Sequence, residues 1–151
     1  RGGGQRRGAG QGRGGLLGSG VVREVLKGRE PFCKEGQQRF LAAANDLFAG
    51  CSTAKAATDI YYLTHRHTHS DKASREVLSK LFVLFEVLDS AGIDCRRAIP
   101  SPVADFEDAV MAETALRAGA DCIVTRNLAD FAKAPLLVLS PKKFLQKVLH
   151  E

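Results

Sequence analysis

Residues 105–131 read DFEDAVMAETALRAGADCIVTRNLADF, and they hold a helix, a turn and a strand in succession. Asp105 suits an N-cap, and Asp108, three residues on, falls on the same side of the first turn. Acids at that end favour the helix dipole, so a purely structural role accounts for both by default. Ala112, Ala115 and Gly119 extend the Asp108 face with small residues, which lets the helix approach a neighbour closely. Gly119 also suits the residue just beyond a C-terminus near Ala118. The apolar run CIVT at 122–125 then reads as a buried strand, followed by Arg126 and Asn127. Ligands in parallel α/β sheets gather beyond the carboxyl ends of strands, so these polar residues are positioned for a site.

On either side of this stretch, helix and strand signals alternate. In 35–50, EGQQRFLAAANDLFAG, the residues Phe40, Leu41, Ala44, Leu47 and Phe48 recur at helical spacing, and Gly50 stops the pattern. CSTAKAA (51–57) reads as a short strand leading into the helix TDIYYLTHR (58–66). Ser70 or Asp71 can cap KASREVLSKLF, with Val77, Leu78, Leu81 and Phe82 inward. VLFEVLD (83–89) reads as a strand and CRRAI (95–99) as a helical turn ended by Pro100. At the tail, PLLVLSPKKFLQKVL gives a strand, Ser140 as N-cap, Pro141 at the first helical position and a closing amphipathic helix. Leu16 and Leu17 end a first strand, and Val21 and Val22 begin the helix after it. Such alternation predicts a three-layer α/β sandwich with a mostly parallel central sheet flanked by helices.

With 151 residues, the chain is long enough for one domain with a real core, and its 44% apolar and 26% charged content is ordinary for a globular protein. No window approaches the ~18 apolar residues a membrane span needs, so the expectation is a cytoplasmic protein without a membrane partner. Cys33, Cys51, Cys95 and Cys122 form no C-x-x-C pair, which leaves a zinc or redox centre without support. Residues 1–15, RGGGQRRGAGQGRGG, are low in complexity and are expected to be a disordered or artefactual Gly/Arg tail, with one domain over 16–151. Gly10, Gly12 and Gly15 form a G-x-G-x-x-G match, but no strand precedes them, so it is compositional. Four of the five net positive charges sit in that tail: beyond it, 18 basic residues face 17 acidic ones. A basic nucleic-acid surface therefore cannot be argued from net charge alone.

The stretch 105–131 resembles the C-terminal half of the PIN domain, the metal-dependent nuclease fold of VapC-type toxins. LKGREPF followed by a helix, then TDIYYLTHR, then VLSPKKFL resemble the same family in the same order, so the resemblance covers about residues 16–149. It implies a Mg²⁺- or Mn²⁺-dependent endoribonuclease, with RNA as substrate, an antitoxin protein as partner and a homodimer as a common assembly. Three or four carboxylates in one pocket stay ionised only beside a cation, which would acidify a bound water and steady the scissile phosphate. Carried over by position, the resemblance gives Asp59, Asp108, Asp105 and Asp130 as the metal-holding set, with Asp105 a neighbour of Asp108 and Asp130 assisting from the next turn. It gives Asn127 as the residue that orients water or phosphate. The family's first ligand, an Asp at the end of the first strand, falls on Gly18, and its companion Asn falls on Gly20. Gly offers a metal no side-chain oxygen. The implied function is therefore a toxin-type ribonuclease short of one ligand, or a catalytically inactive remnant that binds an antitoxin peptide or RNA.

Other motifs carry less. His65, His67 and His69 form H-x-H-x-H, for which a solvated helix end is the better reading than a metal site. Tyr61 and Tyr62 could stack on RNA bases, yet core packing is the leading expectation. Arg96, Arg97 and Arg126 could meet phosphates, a plain surface turn being equally good for the first two. Glu107, Glu113 and Asp121 are assigned no role beyond exposed charge.

Overall fold

In a computed structural model of the protein, residues 14–27 and 51–149 are described. Their elements run β1 (Gly15–Leu17), α1 (Ser19–Lys27), β2 (Cys51–Thr53), α2 (Ala54–Thr68), α3 (Asp71–Leu84), β3 (Glu86–Leu88), α4 (Gly92–Ala98), α5 (Phe106–Ala118), β4 (Cys122–Val124), a 3₁₀ turn (Leu128–Phe131), β5 (Leu137–Leu139) and α6 (Pro141–Leu149). The helix expected over 35–50, Cys33 and the tail before Gly14 lie outside the described residues.

The strands form one sheet in the order β3-β2-β1-β4-β5, and every pairing is parallel. Strand alternation divides the core between the two faces. Leu17, Cys122 and Val124 point to the side covered by α1, α2, α3 and α6, where they meet Val21, Val22, Ile60, Leu81 and Phe144. Leu16, Cys51 and Ile123 point to the other side, against Ala112 and Ala115 of α5 and Phe131. Three layers result, as expected from the alternation of elements.

Local signals explain most boundaries. Thr53 caps α2, its hydroxyl accepting from the Ala56 N–H at 3.0 Å, so the helix starts directly at the strand end rather than near Thr58. Ser70 caps α3, accepting from Ala73 N–H, and Gly119 closes α5 in the left-handed conformation at φ 77°. Ser140 accepts from Lys143 N–H at the start of α6. Cys51, Cys95 and Cys122 form no disulfide.

Several sequence expectations need correction. Phe82 is 61% exposed, because it lies 100° around the helix from Leu81, and the inward stripe is Val77, Leu78, Leu81 and Leu84. Val83 and Leu84 belong to α3, leaving only Glu86–Leu88 in the strand. Tyr62 is 66% exposed, and Tyr61 is half-buried, so neither is a core residue. The Tyr61 hydroxyl donates to the Asp71 carboxylate, which also accepts from Arg75 Nε at 2.8 Å, tying α2 to α3. His65 stacks on the Tyr61 ring, while His69 takes the left-handed cap position at φ 54°. Gly15, which composition assigns to the tail, belongs to the sheet, and Gly14 just before it accepts from the Asp121 N–H and donates to the Asp121 carboxylate. Asp121 therefore has a structural partner that exposed charge alone does not describe. A Cβ on Gly15 would lie 2.8 Å from the Phe144 ring, so only glycine lets that ring reach the strand.

Candidate active site

Strand order reverses direction at β1, which has β2 on one side and β4 on the other. Crevices beyond the strand ends at such a switch point are where open α/β sheets bind ligands. Topology delivers two acidic helix turns to this place. Because α2 leaves the carboxyl end of β2, its first turns sit at that edge. Because α5 runs antiparallel to the strand it feeds, its N-terminus returns to the same edge. Asp59 of α2 and Asp108 of α5 accordingly line one cavity of about 410 Å³, with Leu17, Thr53, Lys55, Phe106, Glu107 and Met111 among its other walls.

The electrostatics of the cavity are uneven. Asp108 is half-buried, and its carboxyl is pushed up to about 6, first by burial and then by the charges of Asp105, Asp130 and Glu107. The expected neighbours Asp105 and Asp130 are thus close enough to repel Asp108. Asp105 is also the N-cap of α5, accepting from Asp108 N–H at 3.0 Å. Asp59 has a different companion: Lys55 Nζ donates to both its oxygens, at 2.9 and 3.1 Å. The same ammonium lies 3.1 Å from Glu107, and these carboxylates hold its pKa up. Glu107 therefore belongs to the cavity, a correction to its assignment as plain surface charge.

Asn127 is exposed at the end of β4, where its N–H donates to the buried Thr125 hydroxyl at 3.1 Å. Gly18 stands at the neighbouring strand end, its N–H bonded to Val124 O at 2.9 Å. A Cβ built there would meet Val124 O at 3.5 Å and Thr125 Oγ1 at 3.9 Å, ordinary contacts that leave room for a side chain. Glycine is not required at position 18 by space.

Behind the cavity, an ion pair positions α5. Asp94 of α4 is fully buried and accepts from Arg117 at 2.8 and 2.9 Å, from the Thr114 hydroxyl at 2.9 Å and from Ala91 N–H at 3.0 Å. The Arg117 guanidinium first of all holds its carboxyl below the usual range. Sequence reasoning missed this pair and the role of Lys55. The i, i+4 spacing of Lys55 and Asp59 was a legible signal, whereas Glu107 and Arg117 reach their partners only through the tertiary fold.

The donors facing the cavity suit a hard divalent cation in kind: they are carboxylate oxygens, and the like charges that add to burial in raising the Asp108 pKa are ones a cation would offset. Among the described residues, no three His, Cys, Asp or Glu side chains are grouped closely enough to enclose a metal. Mg²⁺ commonly takes one or two carboxylates and completes its shell with waters and substrate phosphates, so Asp59 and Asp108 are a compatible pair. Also among the described residues, no helix is long and apolar enough to cross a membrane.

Comparisons with known proteins agree with this architecture. The fold is similar to VapBC2 from Rickettsia felis, solved bound to a DNA fragment from its promoter, with a TM-score of 0.62 at 14% identity, covering 84% of this chain and 97% of that one. DNA-bound VapBC from Salmonella typhimurium is similar at a TM-score of 0.61 and 17% identity, over 83% and 96% of the two chains. A Pyrobaculum aerophilum protein gives 0.62 and 17%, over 91% and 90%. Identities this low establish shared fold alone. A search of curated proteins finds no match. Residues 16–129, well over half of the chain, match the family described as the PIN domain, and the protein belongs to that family.

Proposed function

We propose that this chain is a PIN domain of the VapC toxin type, a divalent-metal-dependent endoribonuclease site that lacks one of its carboxylates. The observation that carries the reading is Asp108, a half-buried carboxyl raised first by burial and then by three neighbouring acids, and sharing a cavity with Asp59 at the sheet's switch point. Functional sites are where such self-repulsion is tolerated.

Asp59 and Asp108 would hold Mg²⁺ or Mn²⁺, which when bound supplies positive charge toward an RNA phosphodiester and acidifies an attacking water. Asp105 and Asp130 deepen the negative potential that draws the cation in. Asn127, exposed beyond the carboxyl end of β4 and without charge, can offer its amide to a phosphate oxygen that a carboxylate would repel. The role missing from the set is that of position 18, where Gly18 brings no oxygen. As in the VapBC assemblies similar in fold, an antitoxin protein is the partner this reading implies.

The test is cleavage of a structured RNA during Mn²⁺ titration by three proteins: the chain itself, Gly18→Asp, and Gly18→Asp combined with Asp108→Asn. Gly18→Asp is expected to raise the rate on the order of a hundredfold, and Asp108→Asn to remove the gain. Cleavage by Gly18→Asp no faster than by the double variant would overturn the nuclease reading. That result would favour the second reading, a non-catalytic module binding antitoxin or RNA, which rests on the missing oxygen at Gly18 and on the ammonium already neutralising Asp59.

A further inference from the structure

Lys55 is an unusual neighbour for a cation site. It projects from the first turn of α2 into the same cavity as Asp59, Glu107 and Asp108. Its ammonium contacts both oxygens of Asp59 and one oxygen of Glu107, thereby bridging α2 to the N-terminus of α5. A helix surface would be served by the Lys55–Asp59 pair alone. The second contact, to an acid from a different layer of the fold, places the positive charge between the two acidic helix turns that the topology brings together. Half of the Lys55 side chain is exposed, so the ammonium can leave for solvent without unfolding anything.

We infer that Lys55 is a resident counter-cation of the cavity, one that occupies Asp59 until a divalent cation or a substrate displaces it. The inference rests on the metal-site reading above and adds a competition to it: a metal approaching Asp59 must share both oxygens with the Lys55 ammonium against its like charge, or displace it. It also explains how acids on two elements stay together in a chain whose position 18 adds no ligand. The cost is borne by cation affinity, because loading must first break the Lys55 contacts. Lys55 is thus a positioning residue, acting through Asp59.

The competition is read directly from metal affinity, without any turnover. Mn²⁺ binding is followed by the loss of the free-ion electron paramagnetic resonance signal in the Gly18→Asp protein, alone and with Lys55→Met, Lys55→Arg, Asp59→Asn, Lys55→Met and Asp59→Asn together, or Asp108→Asn. Lys55→Met is expected to tighten Mn²⁺ binding about tenfold, and Lys55→Arg to leave it near the parent value. In the Asp59→Asn background the gain from Lys55→Met is expected to vanish, since no carboxylate is left to release. Melting curves of each variant check that the fold persists. If Lys55→Met leaves Mn²⁺ affinity unchanged or weaker while Asp108→Asn abolishes it, the counter-cation inference fails and the metal site stands. If the gain persists in Asp59→Asn, Lys55 acts as general charge rather than through Asp59, and the inference fails again. Absence of Mn²⁺ binding in every variant would overturn both readings together.

Discussion

A carboxyl group that is partly buried and crowded by other carboxyls is a cost that the folded chain bears whenever the group is ionised. For Asp108 the folded pKa, about 6, lies above the ordinary 3.8, so the folded state holds its proton more tightly than the unfolded chain does. The resulting destabilisation is absent below pH 3.8, grows as pH rises toward 6, and is complete at neutral pH. Asp108→Asn should therefore raise stability at pH 7 by about 1 kcal/mol, allowing for solvent screening, and change it little near pH 3.5. Urea unfolding at the two pH values checks this, and equal losses at both would show a plain structural role. Asp94 presents the opposite case. Its folded pKa is depressed by Arg117, so the stability it contributes is present above the ordinary 3.8 and is lost as pH falls through the folded value. Asp94→Ala should cost ~3 kcal/mol at pH 7, because Arg117 and the Thr114 hydroxyl lose their shared acceptor. Urea midpoints near the wild-type value would contradict it.

Two strands show how an element's tolerance follows from its neighbours. In β1, Gly15 faces the Phe144 ring of α6 and the Val124 side chain, and an added methyl would have to displace one of them. Gly15→Ala should cost about 1–3 kcal/mol by overpacking, despite alanine's being the better strand residue by chain entropy. Thermal melting of the variant decides it, and an unchanged midpoint would mean the ring moves freely. In β2, the Ser52 hydroxyl is fully buried and has no hydrogen-bond partner among the described residues. Ser52→Ala removes an unsatisfied polar group for little lost volume and should stabilise the protein by ~1 kcal/mol. A loss of that size in denaturant unfolding would show that the hydroxyl is satisfied in solution. The cavity side of the same strand ends in Thr53, whose hydroxyl is committed to capping α2. Capping carries Lys55 and Asp59 to the sheet's edge, so a local helix signal places a functional turn.

Across the whole molecule the two acids act in adjacent pH windows. Stability should rise with pH through the acid range as Asp94 ionises, then decline toward pH 6 as Asp108 loses its proton, with a maximum near the ordinary carboxyl value of 3.8. Unfolding free energies measured from pH 3 to 7 test this, and the decline should disappear in Asp108→Asn. The parallel sheet was legible because its strands are short apolar runs between helices with marked ends: Ser70, Asp105, Gly119 and Ser140 punctuate the chain by local hydrogen bonding and backbone preference. The expectation of acids at 59 and 108 came from resemblance, and their common cavity came from topology. Phe82 and Tyr62 were misread because an apolar side chain on a helix does not reveal how wide the buried stripe will be. By itself the sequence determined what short-range chemistry can determine: the order of helices and strands, their caps, and the residue types available for a site. Tertiary structure alone decided which charges meet. Lys55 faces Glu107, and Asp94 faces Arg117, because Coulomb and hydrogen-bond energies depend on separation in space, which pattern along the chain does not encode.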